Sequence, residues 1–389
     1  MTLRASKPAF NVREKLTELG RRFGLKGSEL IAAETVQEAR DIVSVGRKNL
    51  VINGDFRVVE RGTATVSVGS GAASGYQIHD RWRINNAGLD SLTADYSHQG
   101  GDSSLGFRDS ARLTCTAAES VGAGERFSFE TRIEAKNTVF LGWGSSKAKP
   151  ITISFWVKSN LPGKYGVHVR HHDPGNAYVF PYTINQSDVW EYKTYTVPGD
   201  PYGTTNDDTG IGFWLRFMLA SGDVASSADE KWSTTDGGPN TTPGAVAWGS
   251  VIGHTWEIMG VQAEVGRNAT EFEHRPYGEE LHLCRRYFQK RSIREVQMHW
   301  VSPWTEYYGI LQLDPPMRDT PSNRSFGFAG ATNYQPGGGG GNQGSSMASS
   351  GLGASCLKIS SESSNNGYDH IYINSTDTGS YDIYISAEL

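Results

Sequence analysis

The chain has 389 residues, enough for about two or three domains that each bury their own core. Its 46 glycines, 10 Trp, 17 Tyr and 15 Phe point to an all-β rather than an α/β protein. A formal net charge of −5 gives no general reason to expect nucleic-acid binding, and no apolar run approaches the ~20 residues of a membrane span.

The charge is uneven. Residues 1–48 carry ten Lys and Arg against six acids, a local +4 that leaves −9 for the rest. Asn11 can cap a helix with Val12, Leu16, Leu19 and Phe23 on one face, and Thr35 with Glu38 forms a capping box before a second. Both are too short to persist alone, so their apolar stripes need a partner. The N-terminal residues lack the apolar core of a signal peptide, so synthesis in a cytoplasm is expected.

From Asn49 the texture turns to β. Leu50, Val51, Ile52 and Phe56 flank Asn53-Gly54-Asp55 and read as a strand running into a turn. A second strand is expected at 79–84, and others at 111–116, 126–133, 151–158, 166–170, 191–197, 212–220 and 255–261. About nine short antiparallel strands suit a jelly-roll sandwich. The Gly-, Ser- and Thr-rich stretch 221–250 reads as one long loop.

Residues 255–288 mark a boundary. Trp256, Ile258 and Val261 follow a strand pattern, Pro276 ends the extended run, and Leu281, Cys284, Tyr287 and Phe288 take helical spacing. Beyond lie strand-like runs at 293–300 and 307–313, then a low-complexity stretch, 333–355, expected to be a mobile loop. Three alternating strands close the chain, carrying Leu357/Ile359, Ile371/Ile373 and Ile383/Ile385. The expected architecture is mainly β: a helical anchor (1–48), a jelly-roll β-sandwich (49–276) and a small C-terminal β-domain (277–389). Short strand edges in that last domain invite self-association.

Catalytic signals are thin. No nucleophile elbow and no zinc-protease motif appears, and Asp207-Asp208 and Asp229-Glu230 read as solvated turns. His171-His172-Asp173 reads as loop-edge polar residues, since adjacent strand histidines face opposite ways. Cys115, Cys284 and Cys356 are far apart and fit neither a disulfide framework nor a zinc spacing. Aromatics are the better lead, because Trp and Tyr bury the apolar faces of sugar rings. Trp82, Phe155, Trp156, Trp214 and Trp256 fall within strand patterns and read as core. Trp143, Tyr178, Tyr182, Trp232 and Trp248 fall in polar or Gly-rich stretches and are the candidate carbohydrate-binding residues. Trp300, Trp304, Tyr307 and Tyr308 form a second aromatic cluster. Subunit contacts would use the same residue types.

The phrases NLVINGDF, HDRWRI and TWEIMGVQAEVG…FEHRPYGEELHLCRRYF resemble those of bacteriophage tail-fibre and virion-appendage proteins, with fainter echoes in LDPPMRDTP and ISAEL. In that family a carbohydrate-binding-module-like jelly roll precedes a small β-domain. The resemblance implies a virion protein that attaches non-covalently to a host surface glycan. It also implies a basic N-terminal segment anchored on other virion proteins and a homotrimer. Neither nucleic acid, membrane insertion nor catalysis is implied. The alternatives are a purely structural fibre, adaptor or decoration protein, and a glycan-degrading enzyme. NLVINGDF further resembles the opening of calcium-bearing modules, which implies a structural calcium at Asp55. The matching last strand, Met259-Gly260-Val261-Gln262, lacks the acid those modules supply.

Overall fold

A computed structural model describes residues 48–222, 230–234, 240–293, 297–301, 306–319, 323–327, 335–336, 347–353, 356–362, 370–372 and 381–389. The anchor residues Val12, Leu16, Leu19 and Phe23 lie outside them. The first strands are β1 (Val66–Gly69), β2 (Gly75–Tyr76), β3 (Trp82–Ala87), β4 (Thr93–Gly100), β5 (Asp109–Ala117) and β6 (Arg126–Glu134). There follow β7 (Ile151–Ser159), β8 (Gly163–His171), β9 (Ala177–Ile184), β10 (Glu191–Val197), β11 (Ile211–Ser221) and β12 (Thr255–Val265). They form two six-stranded sheets, ordered β1-β4-β5-β12-β7-β10 and β2-β3-β6-β11-β8-β9. The pairings within both are antiparallel.

Period-2 alternation builds the core between the sheets. Ile153, Phe155 and Val157 point inward from the first sheet, and Phe213, Leu215 and Phe217 from the second. Trp82 stacks on Phe129 at 4.9 Å, and Phe129 meets Trp256 edge-on at 5.9 Å. Burying such rings contributes roughly 25 cal/mol per Å² of apolar area, with a further ~0.5–1.5 kcal/mol per well-placed pair.

Strand alternation foretold β5, β6, β7, β8, β10, β11 and β12 to within a few residues, but not β1, β2, β4 or β9. In β9, Pro181 breaks the expected pattern; the strand tolerates it because β9 is a sheet edge. The turn expected at Asn53-Gly54-Asp55 is present, but the strand expected to run into it is not. Asn53 holds that turn with a positive φ of 57°, its side chain bonding both ways to Val58 at 2.9 Å. The strand expected from His79 starts at Trp82, because Arg81 takes a left-handed φ of 71°.

Pro276, which cannot donate, precedes helix α1 (Tyr277–Arg285), with Glu279 and Glu280 in its first turn. Nine strands follow: β13 (Phe288–Ile293), β14 (Gln297–Val301), β15 (Glu306–Gln312), β16 (Asn323–Gly327), β17 (Gln335–Pro336), β18 (Met347–Gly353), β19 (Cys356–Glu362), β20 (His370–Tyr372) and β21 (Tyr381–Ser386). They make sheets ordered β13-β21-β16 and β17-β20-β14-β15-β19-β18. β18 corrects the expectation of a loop throughout 333–355. Its small Ala, Ser and Gly residues pair with β19, where the ladder supplies what side chains cannot.

One knot joins this part to the sandwich. Arg81 bonds the Glu388 carboxylate and stacks its guanidinium 3.6 Å over Tyr287. Arg61 also reaches Glu388, at 2.8 Å, and lies 3.7 Å over Phe288. Glu134 accepts from Arg286 and from the Tyr287 hydroxyl, both at 2.8 Å. Arg318 donates to Ala387 O at 2.9 Å. Because Arg81 is 1% exposed, Glu388→Ala leaves a buried cation unpaired. That change should lower the unfolding free energy of the full chain by about 3–5 kcal/mol in a urea titration. A loss under ~1 kcal/mol would mean that the tail does not hold the two parts together.

Candidate functional site

The aromatics singled out from sequence are mostly core. Tyr178 and Tyr182 belong to β9, not a loop, and point inward, 2% and 6% exposed. Tyr182 accepts from Trp256 Nε1 at 2.9 Å. Trp248 is fully buried in a short 3-10 turn, stacked 6.0 Å from Phe127. Trp143 is buried against His171 and Phe213, its indole N–H donating to Lys149 O at 2.9 Å. Trp232 is half-buried and closes over Trp143 and Tyr178. Trp143, Tyr178 and Trp232 therefore form one cluster that seals the sandwich edge, with Tyr182 and Trp248 elsewhere in the core. The polar context misled because long connections fold back over the sandwich core and need apolar anchors of their own.

His171 corrects another expectation. It is fully buried, bonded to Asp200 at 2.7 Å and Thr205 at 2.7 Å, while His172 takes the opposite face. At the Asn53-Gly54-Asp55 turn, which resembles that of calcium-bearing modules, burial and then Glu280 push the Asp55 carboxyl up to about 6, and Glu280 itself is taken by Arg275 and the Asn53 amide. Among the described residues, no group of three or more His, Cys, Asp or Glu converges as a ligand set. Cys115 and Cys284 are buried free thiols. Described side chains do not include Trp300, Trp304, Tyr307 or Tyr308.

The site that does open to solvent lies on the outer face of the first sheet. Between the inward residues of β7 stand Ser154 and Trp156, paired across to Thr194 and Tyr192 of edge strand β10. The Trp156 and Tyr192 rings are 5.3 Å apart, and Tyr192 is 44% exposed. They line a cleft of about 840 Å³ with Phe107, Phe272, His274, Asn268, Thr270 and Glu271. Strand alternation alone could not have found it, because it does not say which of Phe155 and Trp156 faces out.

Two devices shape this cleft. β12 carries a bulge between Met259 and Gln262, where Gly260 takes φ 61°. A Cβ there would collide with the Phe107 ring, so the glycine admits the aromatic wall. Phe107 then meets Phe272 edge-on at 5.1 Å. The other device is polar. Glu264 accepts from the Thr270 amide and hydroxyl, both at 2.7 Å, and Gln262 accepts from the Glu273 amide at 2.8 Å. These buried side chains of β12 fix the 268–274 wall before any ligand arrives. A preformed cleft with aromatic and hydroxyl lining suits a ring with apolar faces and polar edges.

No family model matches the chain, and no curated protein matches it. Among solved structures, a putative sugar binding protein from Bacteroides thetaiotaomicron has 14% identity over 56% of this chain and all of its own, with a TM-score of 0.32. A family 11 carbohydrate-binding module of a Clostridium thermocellum cellulosomal cellulase shows 10% identity over 55% of this chain and 99% of its own, TM-score 0.27. The enzymatically active domain of bacteriophage CBA120 tailspike protein 4 shows 14% identity over 56% of this chain, TM-score 0.30. Only 21% of that tailspike chain is covered, so this chain spans about a fifth of it. The chain's own sheets define its class. It is a mainly β protein whose 66–265 segment is an antiparallel jelly-roll sandwich, followed by a three-stranded and a six-stranded sheet.

Trp248→Ala removes a ring with no exposed surface and should cost about 3–5 kcal/mol of stability. Trp232→Ala, at a half-buried edge, should cost clearly less. Paired thermal melts check the order; equal shifts would contradict the placement of Trp248 in the core.

Proposed function

We propose that this chain binds carbohydrate non-covalently through the Trp156–Tyr192 cleft, as the glycan-attachment part of a bacteriophage virion appendage. The observation that carries the binding is the preformed aromatic cleft itself. Trp156 and Tyr192 offer ring faces to a pyranose, and Ser154, Thr194, Asn268 and Thr270 offer partners for its hydroxyls. Its described lining holds one carboxylate, Glu271. Hydrolysis of a glycosidic bond ordinarily uses two, on opposite sides of the bond. Binding is therefore the better account of this cleft than cleavage.

The virion setting is supported by the sequence phrases, which the fold brings together. NLVINGDF meets HDRWRI where Asn53 Nδ2 donates to Asp80 O and Trp82 Nε1 donates to Asn53 O, both at 2.9 Å. In this proposal residues 1–48 anchor the chain on other virion proteins, with Val12, Leu16, Leu19 and Phe23 as the docking stripe. The chain assembles as a homotrimer through residues after Tyr277.

Two experiments test the proposal. Trp156→Ala and Tyr192→Ala should each weaken calorimetric binding to purified host-surface polysaccharide at least about tenfold, with melting temperatures changed by only a few degrees. Unchanged binding in both would leave a purely structural role. Deleting residues 1–48 should leave a soluble trimer by light scattering that no longer enters particles. A monomer, or normal incorporation, would refute the corresponding part.

A further inference from the structure

The outer face of the second sheet has the opposite chemistry to the cleft. Strand alternation places Arg83, Arg126, Arg132, Arg170 and Arg216 on it, with Trp214 opposite Arg132 and Arg126 farther along β6, opposite Ser221. The guanidinium carbons of Arg132, Arg170 and Arg216 lie 4.5, 5.2 and 3.9 Å from the indole ring. One buried carboxylate, Glu130, stands among them and is already committed. It takes Arg83 at 2.8 Å, Arg132 at 3.2 Å and Arg216 at 2.6 Å.

The crowding shows in the titration of the face. Burial pulls Arg216 down to about 10 against the pull of Glu130, and Arg126 and Arg170 push the same way. Burial and the same arginines hold His168 well below its ordinary range. Further cations would not be stacked here by stability alone, since like charges at this spacing repel.

The hydrogen bonding points the same way. Trp214 Nε1, Arg126 Nε and Asn85 Nδ2 are shielded from solvent and have no partner, and all three can only donate. Ser128 Oγ, fully buried, and His168 Nδ1, on a side chain 1% exposed, are also unpartnered. A buried donor left unsatisfied costs about 1–3 kcal/mol, so a cluster on one face is a feature for something to complete. What completes it must accept hydrogen bonds and carry negative charge.

We propose that this face is a second ligand site, which takes successive oxyanions of an acidic polysaccharide, one at Arg126 and another at Arg132 and the Trp214 indole N–H, the two arginines standing six residues apart along β6. It stands independently of the cleft, on the other side of the sandwich. A carboxylate or sulfate would accept charge-assisted bonds from the arginines, the geometry at which guanidinium excels. Trp214 then holds the guanidinium groups in place rather than serving as a bare platform.

The full chain tests this by binding to polygalacturonate, dextran sulfate, neutral dextran and duplex DNA at about 0.15 M salt. Polygalacturonate or dextran sulfate should bind at least about tenfold more tightly than dextran, and whichever is favoured identifies the oxyanion. Arg126→Gln and Arg132→Gln should each weaken that binding about tenfold, since a hydrogen bond to a charged group is lost. Trp156→Ala should leave it unchanged, which separates this site from the cleft. Both arginines are partly exposed, so both variants should fold even where Trp214→Ala does not. No preference over dextran, a preference that survives both substitutions, or equal affinity for DNA would each overturn the proposal.

Discussion

Buried arginines need their carboxylates, and the fold is organised around meeting that need. Arg81 sits at the start of β3 in a left-handed conformation, with its guanidinium enclosed between Tyr287, the Arg132 carbonyl and Glu388. Its partner comes from the far end of the chain. A buried ion pair adds little net stability over a packed apolar pair, yet losing one partner is severe. Such a pair therefore specifies which segments must meet. Here it fixes the segment after β21 against β3, and so aligns two sheet systems that share no strand.

The same logic recurs around it. Glu60 takes Arg285 at 2.6 Å, Glu134 takes Arg286 and Tyr287, and Glu280 takes Arg275. The first two join helix α1 and its C-terminal flank to the sandwich, and the Glu280–Arg275 pair is tied to it through the Asn53 amide and Val51 O. Asp80, caught among Arg61 and Glu388, has its carboxyl pushed up to about 7 by burial. Raised above its unfolded value, it favours the fold below about pH 4, and that contribution fades as pH rises toward 7.

Legibility in the sequence followed the physics of each element. Strands β5, β6, β7, β8 and β10 to β12 were readable because each buries one face, and burial leaves a period of two. α1 was readable from Pro276 and the spacing of Leu281 and Cys284, but Tyr287 and Phe288, expected in the same helix, lie past its end at Arg285, and Phe288 opens β13. The turn at Asn53-Gly54-Asp55 was readable too, but Leu50, Val51 and Ile52 were mistaken for a strand, because they are held by Asn53 and Asn49 side chains rather than by a ladder. Four of the five candidate aromatics, Trp143, Tyr178, Tyr182 and Trp248, are buried for a related reason, and Trp232 is half-buried. Composition around Trp143, Trp232 and Trp248 describes the loop, whereas their burial depends on which core the loop crosses. Trp156 and Trp214 failed in reverse. A place within a strand suggests core, but in a sandwich every second strand residue faces away from it.

That parity decides where function can sit. A β-sandwich spends one face of each sheet on the core, and the remaining two faces are rigid surfaces whose side chains cannot change register without reversing the whole strand. On the first sheet, the free face carries aromatic rings and hydroxyls, with a wall pinned by Glu264 and Gln262. On the second it carries arginines around an indole. Because the strands between them are shared with the core, each surface inherits the stiffness of the packing beneath it. A ligand met there loses little affinity to ordering the protein, which is what attachment by a shallow surface requires.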